Sequence, residues 1–141
     1  MIGLRPLTNL DLEFLLEVRN DLTTRNNLEN DSIFTLEQCS EWYLSTKPKW
    51  YIITNEHFES VGYLRTNGDE VGCDIHPSYR KNGYARAAYN EYLKDKTQAC
   101  LWVFEDNFAK KLYESLGFLE TGKSKKIRNR NYIHMIWRKT I

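Results

Sequence analysis

Glu70, Asp74 and His76 are separated by even intervals, so a β-strand over 70–76 would present all three on one face. Two carboxylates and an imidazole in a row can hold an ammonium group or take a proton from it. The strand must stop at Pro77, and a turn holding Arg80, Lys81 and Asn82 leads to a helix that opens at Gly83. The unpaired backbone N–H groups of a first helical turn, with the positive end of the helix dipole, suit a phosphate. Gly83 and Ala85 are small enough to let one approach, and Arg80, Lys81 and Arg86 add charge around it. The loop matches neither a Walker A nor a G-x-G-x-x-G pattern, so nucleotide hydrolysis and dinucleotide binding lose support.

A second block follows, Asn107-Phe108-Ala109-Lys110-Lys111-Leu112-Tyr113-Glu114-Ser115-Leu116-Gly117-Phe118. With both blocks in order, the chain resembles the GNAT-type N-acetyltransferase superfamily. The run E-x-G-x-x-I-x-P-x-x-R-x-x-G-x-A from Glu70 to Ala85 looks like its acetyl-CoA pyrophosphate motif, and A-x-x-L-Y-E-S-L-G-F from Ala109 looks like its second conserved block. Leu4-Arg5-Pro6-Leu7-Thr8 and Arg19-Asn20-Asp21 are similar to the small-molecule and ribosomal-protein branches.

The resemblance implies transfer of an acetyl group from acetyl-CoA to a primary amine of a small molecule or peptide, by direct attack in a ternary complex. It implies Tyr113 as general acid at the thioester sulfur, and Glu70 or Asp74 as base or amine anchor. It implies backbone contacts from Ile75 and His76 to the pantetheine arm, and a pyrophosphate cradle from Asn82, Gly83, Tyr84, Ala85, Arg86 and Ala87, with Arg80 and Lys81 beside it. Relatives carry an asparagine three residues before the alanine of the second block. That position is Asp106 here, with Asn107 one residue later, so either Asn107 serves or Asp106 caps the helix. His134 falls where relatives line the acceptor pocket. A protein N-terminal acetyltransferase of the ribosomal-protein type and a non-catalytic acyl-CoA-binding module are the alternative readings. Homodimers are common among such relatives.

These residues need elements to position them. The expected order is β-α-α-β-β-β-α-β-α-β-β, a mixed and mostly antiparallel sheet with helices on both faces, in a single domain over 1–141. Ile2–Arg5 reads as the first strand and 9–20 as a helix; polar residues 21–34 read as a loop. Thr35-Leu36-Glu37-Gln38 is a capping-box pattern that starts the second helix. Strands are expected over 50–54, 60–65 and 70–75, with Asn67-Gly68 as the hairpin turn between the last two. Helices over 83–96 and 107–116 alternate with strands over 99–104 and 132–137.

Composition narrows the partners. The net charge of +1 hides a split: residues 1–75 hold 6 basic and 13 acidic side chains, and residues 76–141 hold 14 basic and 6 acidic. The basic half suits an anionic donor such as acetyl-CoA, and the acid-rich loop 21–34 suits a cationic amine. Residues 122–131 carry five cations and no acid, which reads as a solvated hairpin loop. Nucleic-acid binding would want aromatics interleaved among those cations, and Tyr132 alone supplies one. No apolar run approaches the ~18 residues of a membrane span, and the N-terminus lacks a signal-peptide plan. Cys39, Cys73 and Cys100 show neither C-x-x-C nor zinc spacing, which points to free thiols, no metal and a cytoplasmic setting.

Overall fold

The computed structural model describes residues 2–140. Strand β1 (Gly3–Pro6) runs into Thr8, whose side chain and that of Asp11 cap each other reciprocally around a short 3-10 turn, Asn9–Asp11. Helix α1 (Leu12–Arg19) continues from that turn. The expected loop 21–34 is interrupted by α2 (Leu22–Arg25), one helical turn set off by the Asp21 carboxylate, which accepts from the Thr23 N–H at 3.0 Å. Thr35 and Gln38 form the capping box expected of them, and α3 (Leu36–Thr46) follows. Then come β2 (Tyr51–Thr54), β3 (Ser60–Asn67), β4 (Glu70–Ile75), α4 (Tyr84–Leu93), β5 (Gln98–Phe104), α5 (Ala109–Leu116), β6 (Leu119–Ile127) and β7 (Arg130–Arg138).

The seven strands form one mixed sheet in the order β1-β2-β3-β4-β5-β7-β6. Its one face packs on α4 and α5, with Leu64, Val71, Leu101 and Met135 against Ala88, Tyr89 and Phe118. The opposite face packs on α1 and α3, with Ile52 and Tyr63 against Leu12, Leu15, Val18 and Cys39. Each such side chain, taken fully out of water, contributes about 1.5–3 kcal/mol before the entropy of ordering is charged against it.

Every neighbouring pair is antiparallel except β4 and β5, which are parallel and joined at the single register pair Glu70↔Cys100. Beyond that pair the two strands diverge, leaving a gap in the middle of the sheet that opens toward the C-terminal end of β4.

Two local expectations fail. The β3–β4 hairpin turns at Gly68-Asp69, because Asn67 is paired with Glu70, so the register lies one residue along each strand from an Asn67-Gly68 turn. Residues 122–131 are not a loop: most of the run belongs to β6, and Arg128-Asn129 make a two-residue turn into β7 with both residues at positive φ (49° and 63°). All but the last residue of β6 is exposed, at the edge of the sheet. A lysine-rich edge strand repels stray strand pairing, and it carries no hydrophobic period to betray it.

Candidate active site

The β4–β5 gap exposes backbone on one side. His76 N–H donates to the Val61 carbonyl at 2.9 Å, so it is spent on β3. By the alternation of an antiparallel ladder, the N–H groups of Cys73 and Ile75 point the other way, into the gap. The His76 ring is also committed: Nδ1 accepts from the Ser78 N–H at 3.1 Å, and the imidazole stacks over Phe14 at 6.0 Å.

At the mouth of the gap, Gly83 stands at φ 78° before α4, and no side chain caps the helix. The first-turn N–H groups of α4 are therefore free to meet an anion. A cleft of about 440 Å³ runs along this surface, with Lys81, Gly83, Tyr84, Ala85 and Arg86 on one wall and Asn107 and Tyr113 on the other. Arg80 borders it too, with its donors largely engaged. Its Nε bonds the Ile75 carbonyl at 3.1 Å, and its Nη atoms bond the hydroxyls of Thr23 (2.5 Å) and Thr24 (2.8 Å). Asn82 turns its amide onto the Tyr79 and Arg80 carbonyls, bracing the turn. Asn82, His76 and Ala87 are not among the residues lining the cleft.

A second cleft, of about 300 Å³, opens on the α1 side and shares four residues with the first: Arg65, Trp102, Tyr113 and Tyr132. Tyr113 reaches this junction from α5, with the Tyr89 and Phe118 rings edge-on to it at 5.4 and 6.1 Å. Burial, above all, pushes its phenol up to about 12. Arg65 comes from the other side of the sheet, and its Nε donates to Asp74 Oδ2 at 2.9 Å. Gly72 makes that possible, since a Cβ there would stand 2.4 Å from an Arg65 guanidinium nitrogen.

Glu70 lies in the second cleft with Glu29, Trp50 and Trp102. Glu70 and Asp74 thus share a strand face, as the two-residue period requires, while bordering different clefts. Burial pushes the Cys73 thiol at the gap well up, which keeps it from acting as a thiolate.

Arg65, Trp102 and Tyr132 escape a motif-based reading. Arg65 would have emerged from the true hairpin register, which places it opposite Gly72. Asp106 receives Arg130 through both carboxylate oxygens at 2.7–3.1 Å, which leaves Asn107 on the cleft wall, its side-chain oxygen accepting from the Ala109 N–H at 2.9 Å. His134 packs beside Trp102 at 5.0 Å, with Nδ1 3.0 Å from the Thr121 hydroxyl, and lines neither cleft. Burial first, then the Lys123 charge, lowers its pKa. Among the described residues no group of three or more His, Cys, Asp or Glu could hold a metal, and no helix is long and apolar enough to cross a membrane.

A sheet split between two parallel strands, with a helix N-terminus at its mouth, is the architecture of an N-acetyltransferase. The sequence profile of the Acetyltransferase (GNAT) family matches residues 24–118, and the chain belongs to that family. Its fold is similar to that of the spermidine N-acetyltransferase from Vibrio cholerae in complex with CoA and spermine. That match has a TM-score of 0.88 at 19% identity and covers 97% of this chain and 95% of that one. It is also similar to a GNAT-family acetyltransferase from Bacillus anthracis, with a TM-score of 0.81 at 18% identity over 97% and 94% of the two chains. No curated protein sequence matches it.

Proposed function

We propose that this chain transfers the acetyl group of acetyl-CoA to the primary amine of a small cationic molecule, by direct attack in a ternary complex. The observation that carries this reading is the meeting of two clefts at the Tyr113 phenol. The larger cleft suits the donor. The Cys73 and Ile75 N–H groups receive the pantetheine arm as a strand would. The first turn of α4, with Lys81 and Arg86, receives the pyrophosphate, and the Asn107 amide faces the arm from the opposite wall.

The smaller cleft suits the acceptor. Trp50, Trp102 and Tyr132 give it aromatic faces and Glu70 gives it a carboxylate, while Glu29 is paired with Lys125 and Arg19 and Arg65 line it too. The Lys125 ammonium already sits 4.8 Å from the Trp102 ring centre and 2.7 Å from Glu29, so this corner accommodates an ammonium group. An alkylamine with a pKa of about 10.4 is neutral only to about 0.04% at pH 7, so its proton must be taken. Glu70 receives it, directly or through water. The freed amine attacks the thioester carbonyl, the C–S bond breaks and the thiolate leaves. Tyr113 donates a hydrogen bond to the departing sulfur. A CoA-like thiol has a pKa of about 8.5. The phenol, at about 12, is the weaker acid, so it stabilises the thiolate while the proton shed by the newly formed amide nitrogen completes the balance. Asp74, held by Arg65, serves to fix that guanidinium at the junction.

A mass-spectrometric screen of acetyl transfer from acetyl-CoA tests the proposal, using polyamines, amino sugars, simple alkylamines and peptides with free N-termini. The expected result is an N-acetylated small cationic amine with one free CoA thiol released per product. Transfer confined to peptide N-termini would favour the ribosomal-protein type instead. Tight CoA binding with no transfer to any amine would make the chain an acyl-CoA-binding module.

A further inference from the structure

Between α1 and α3 lies a third recess, of about 270 Å³, that the donor and acceptor sites do not use. Leu16, Phe34, Trp42 and Trp50 wall it, and the buried Cys39 thiol forms part of its lining. Its charged and amide side chains are Arg19 and Gln38, and both are partly engaged. Arg19 bonds the Asn30 carbonyl at 2.6 Å and the Ser32 carbonyl at 3.1 Å, with its guanidinium 4.8 Å over the Phe34 ring. Gln38 spends its side-chain oxygen on the Thr35 N–H at 2.9 Å in the α3 capping box. A ligand entering this recess finds mostly aromatic and aliphatic surface, so an apolar group gains most by entering. Burial keeps Cys39 a neutral thiol, consistent with that character.

The recess adjoins the acceptor cleft, with Arg19 and Trp50 lining both. Resting on the acetyltransferase reading above, we infer that it is the subsite for an apolar tail on the acceptor. The preferred substrate is then an amphipathic primary amine, with its ammonium end against Glu70 and Trp102 and its hydrocarbon end between α1 and α3. A dry apolar cavity of ~150 Å³ is enough for benzene, so the recess has room for an aromatic ring or an alkyl chain of about six carbons.

The test compares the n-alkylamines from ethylamine to hexylamine, and 2-phenylethylamine, as acceptors. Burying each added methylene raises kcat/KM by about fourfold until the recess is full, after which the gain stops. Leu16→Trp, which fills the recess, collapses the hexylamine-to-ethylamine ratio toward one, and Trp42→Ala shifts the optimum to longer chains. Titration of each amine followed by the emission of Trp42 and Trp50 gives a readout independent of turnover, with hexylamine perturbing it at lower concentration than ethylamine. Chain-length-dependent binding without acetylation would defeat the acetyltransferase reading and leave the subsite standing. Acetylation of all these amines with a flat chain-length profile, or an equal loss for every amine in Leu16→Trp, would overturn the subsite. So would protection of the tryptophans by self-association rather than by amine.

Discussion

In the proposed reaction the residue that separates catalysis from binding is Tyr113, whose phenol comes from α5 to the junction that both clefts share. Replacing it with Phe keeps the ring packing on Tyr89 and Phe118 and deletes only the hydroxyl. Tyr113→Phe should lower kcat by about 10²-fold, the order expected for losing one donor to developing transition-state charge, with the acetyl-CoA Kd unchanged by calorimetry. A loss below about threefold would remove the hydroxyl from the reaction. The pH profile gives an independent check. With the phenol at about 12, Tyr113 stays protonated through the working range, and with Glu70 taking the ammonium proton wild-type kcat/KM should hold level with pH until the free amine deprotonates at about 10.4. A decline between pH 8 and 10 would show that another acid with an ordinary pKa is at work. The Arg65–Asp74 pair makes a different kind of claim. Asp74 is 10% exposed, so Arg65→Met strands its carboxylate and should cost about 1–3 kcal/mol in urea unfolding at pH 7. Adding Asp74→Asn should recover part of that loss, since the stranded charge is gone.

Elements built on local signals were legible in the sequence, and those that depend on distant partners were not. The Thr35–Gln38 capping box, the Pro77 stop and the small residues opening α4 are short-range instructions, and each element they mark is present. The extent of β6 was unreadable for a physical reason: a strand is expected before the last one, but its residues are exposed and its pairing is supplied by β7, so neither period nor apolarity marks where it runs. The hairpin register slipped because Asn67-Gly68 and Gly68-Asp69 are both acceptable turn pairs, and the choice falls to how Arg65 packs over Gly72. The second cleft was illegible for the same reason, since Trp50 precedes β2 while Trp102 and Tyr132 lie in β5 and β7, and no motif joins them. The capping turn at Thr8 yields a stability prediction. Burial opposes ionisation of Asp11, but Arg5 at 2.7 and 2.8 Å and the Thr8 N–H at 2.8 Å outweigh it and lower its pKa. A lowered folded pKa means the stabilisation is complete above the unfolded value of about 3.9 and disappears as pH falls through the folded one. Asp11→Asn should therefore cost about 1–2 kcal/mol at pH 7, and the difference from wild type should shrink as denaturation is repeated below pH 3.

At the scale of the whole molecule, much of the charge split is internal. Cations from the basic half reach across to the acid-rich loop: Lys125 to Glu29 at 2.7 Å, Arg128 to Asp31 at 3.5 Å and Arg80 to Asp21 at 3.8 Å. Arg128 also donates to the Leu28 and Glu29 carbonyls at 2.7 and 2.9 Å, and Arg130 holds Asn27 and the Asn26 carbonyl. The turn that reads as free cations in sequence is a staple that holds residues 26–31 over the acceptor cleft, where Leu28, Glu29 and Asn30 form a wall. That commitment weakens any nucleic-acid reading of the same run, because phosphates would compete with contacts already made. Asn27 lines the first cleft as well, but in the proposed reaction the donor phosphates draw on Lys81, Arg86 and the start of α4 instead. Arg128 stands at φ 49°, a conformation that asparagine tolerates well. Arg128→Asn therefore removes the Arg128 share of the staple while sparing the turn. It should raise the acceptor KM by about 3- to 30-fold, the equivalent of one or two lost charge-assisted hydrogen bonds, with the acetyl-CoA Kd unchanged. Amide hydrogen exchange should quicken over 26–32 and stay as in wild type across α4. Weakened acetyl-CoA binding in this variant would mean that the two charged halves act on one site.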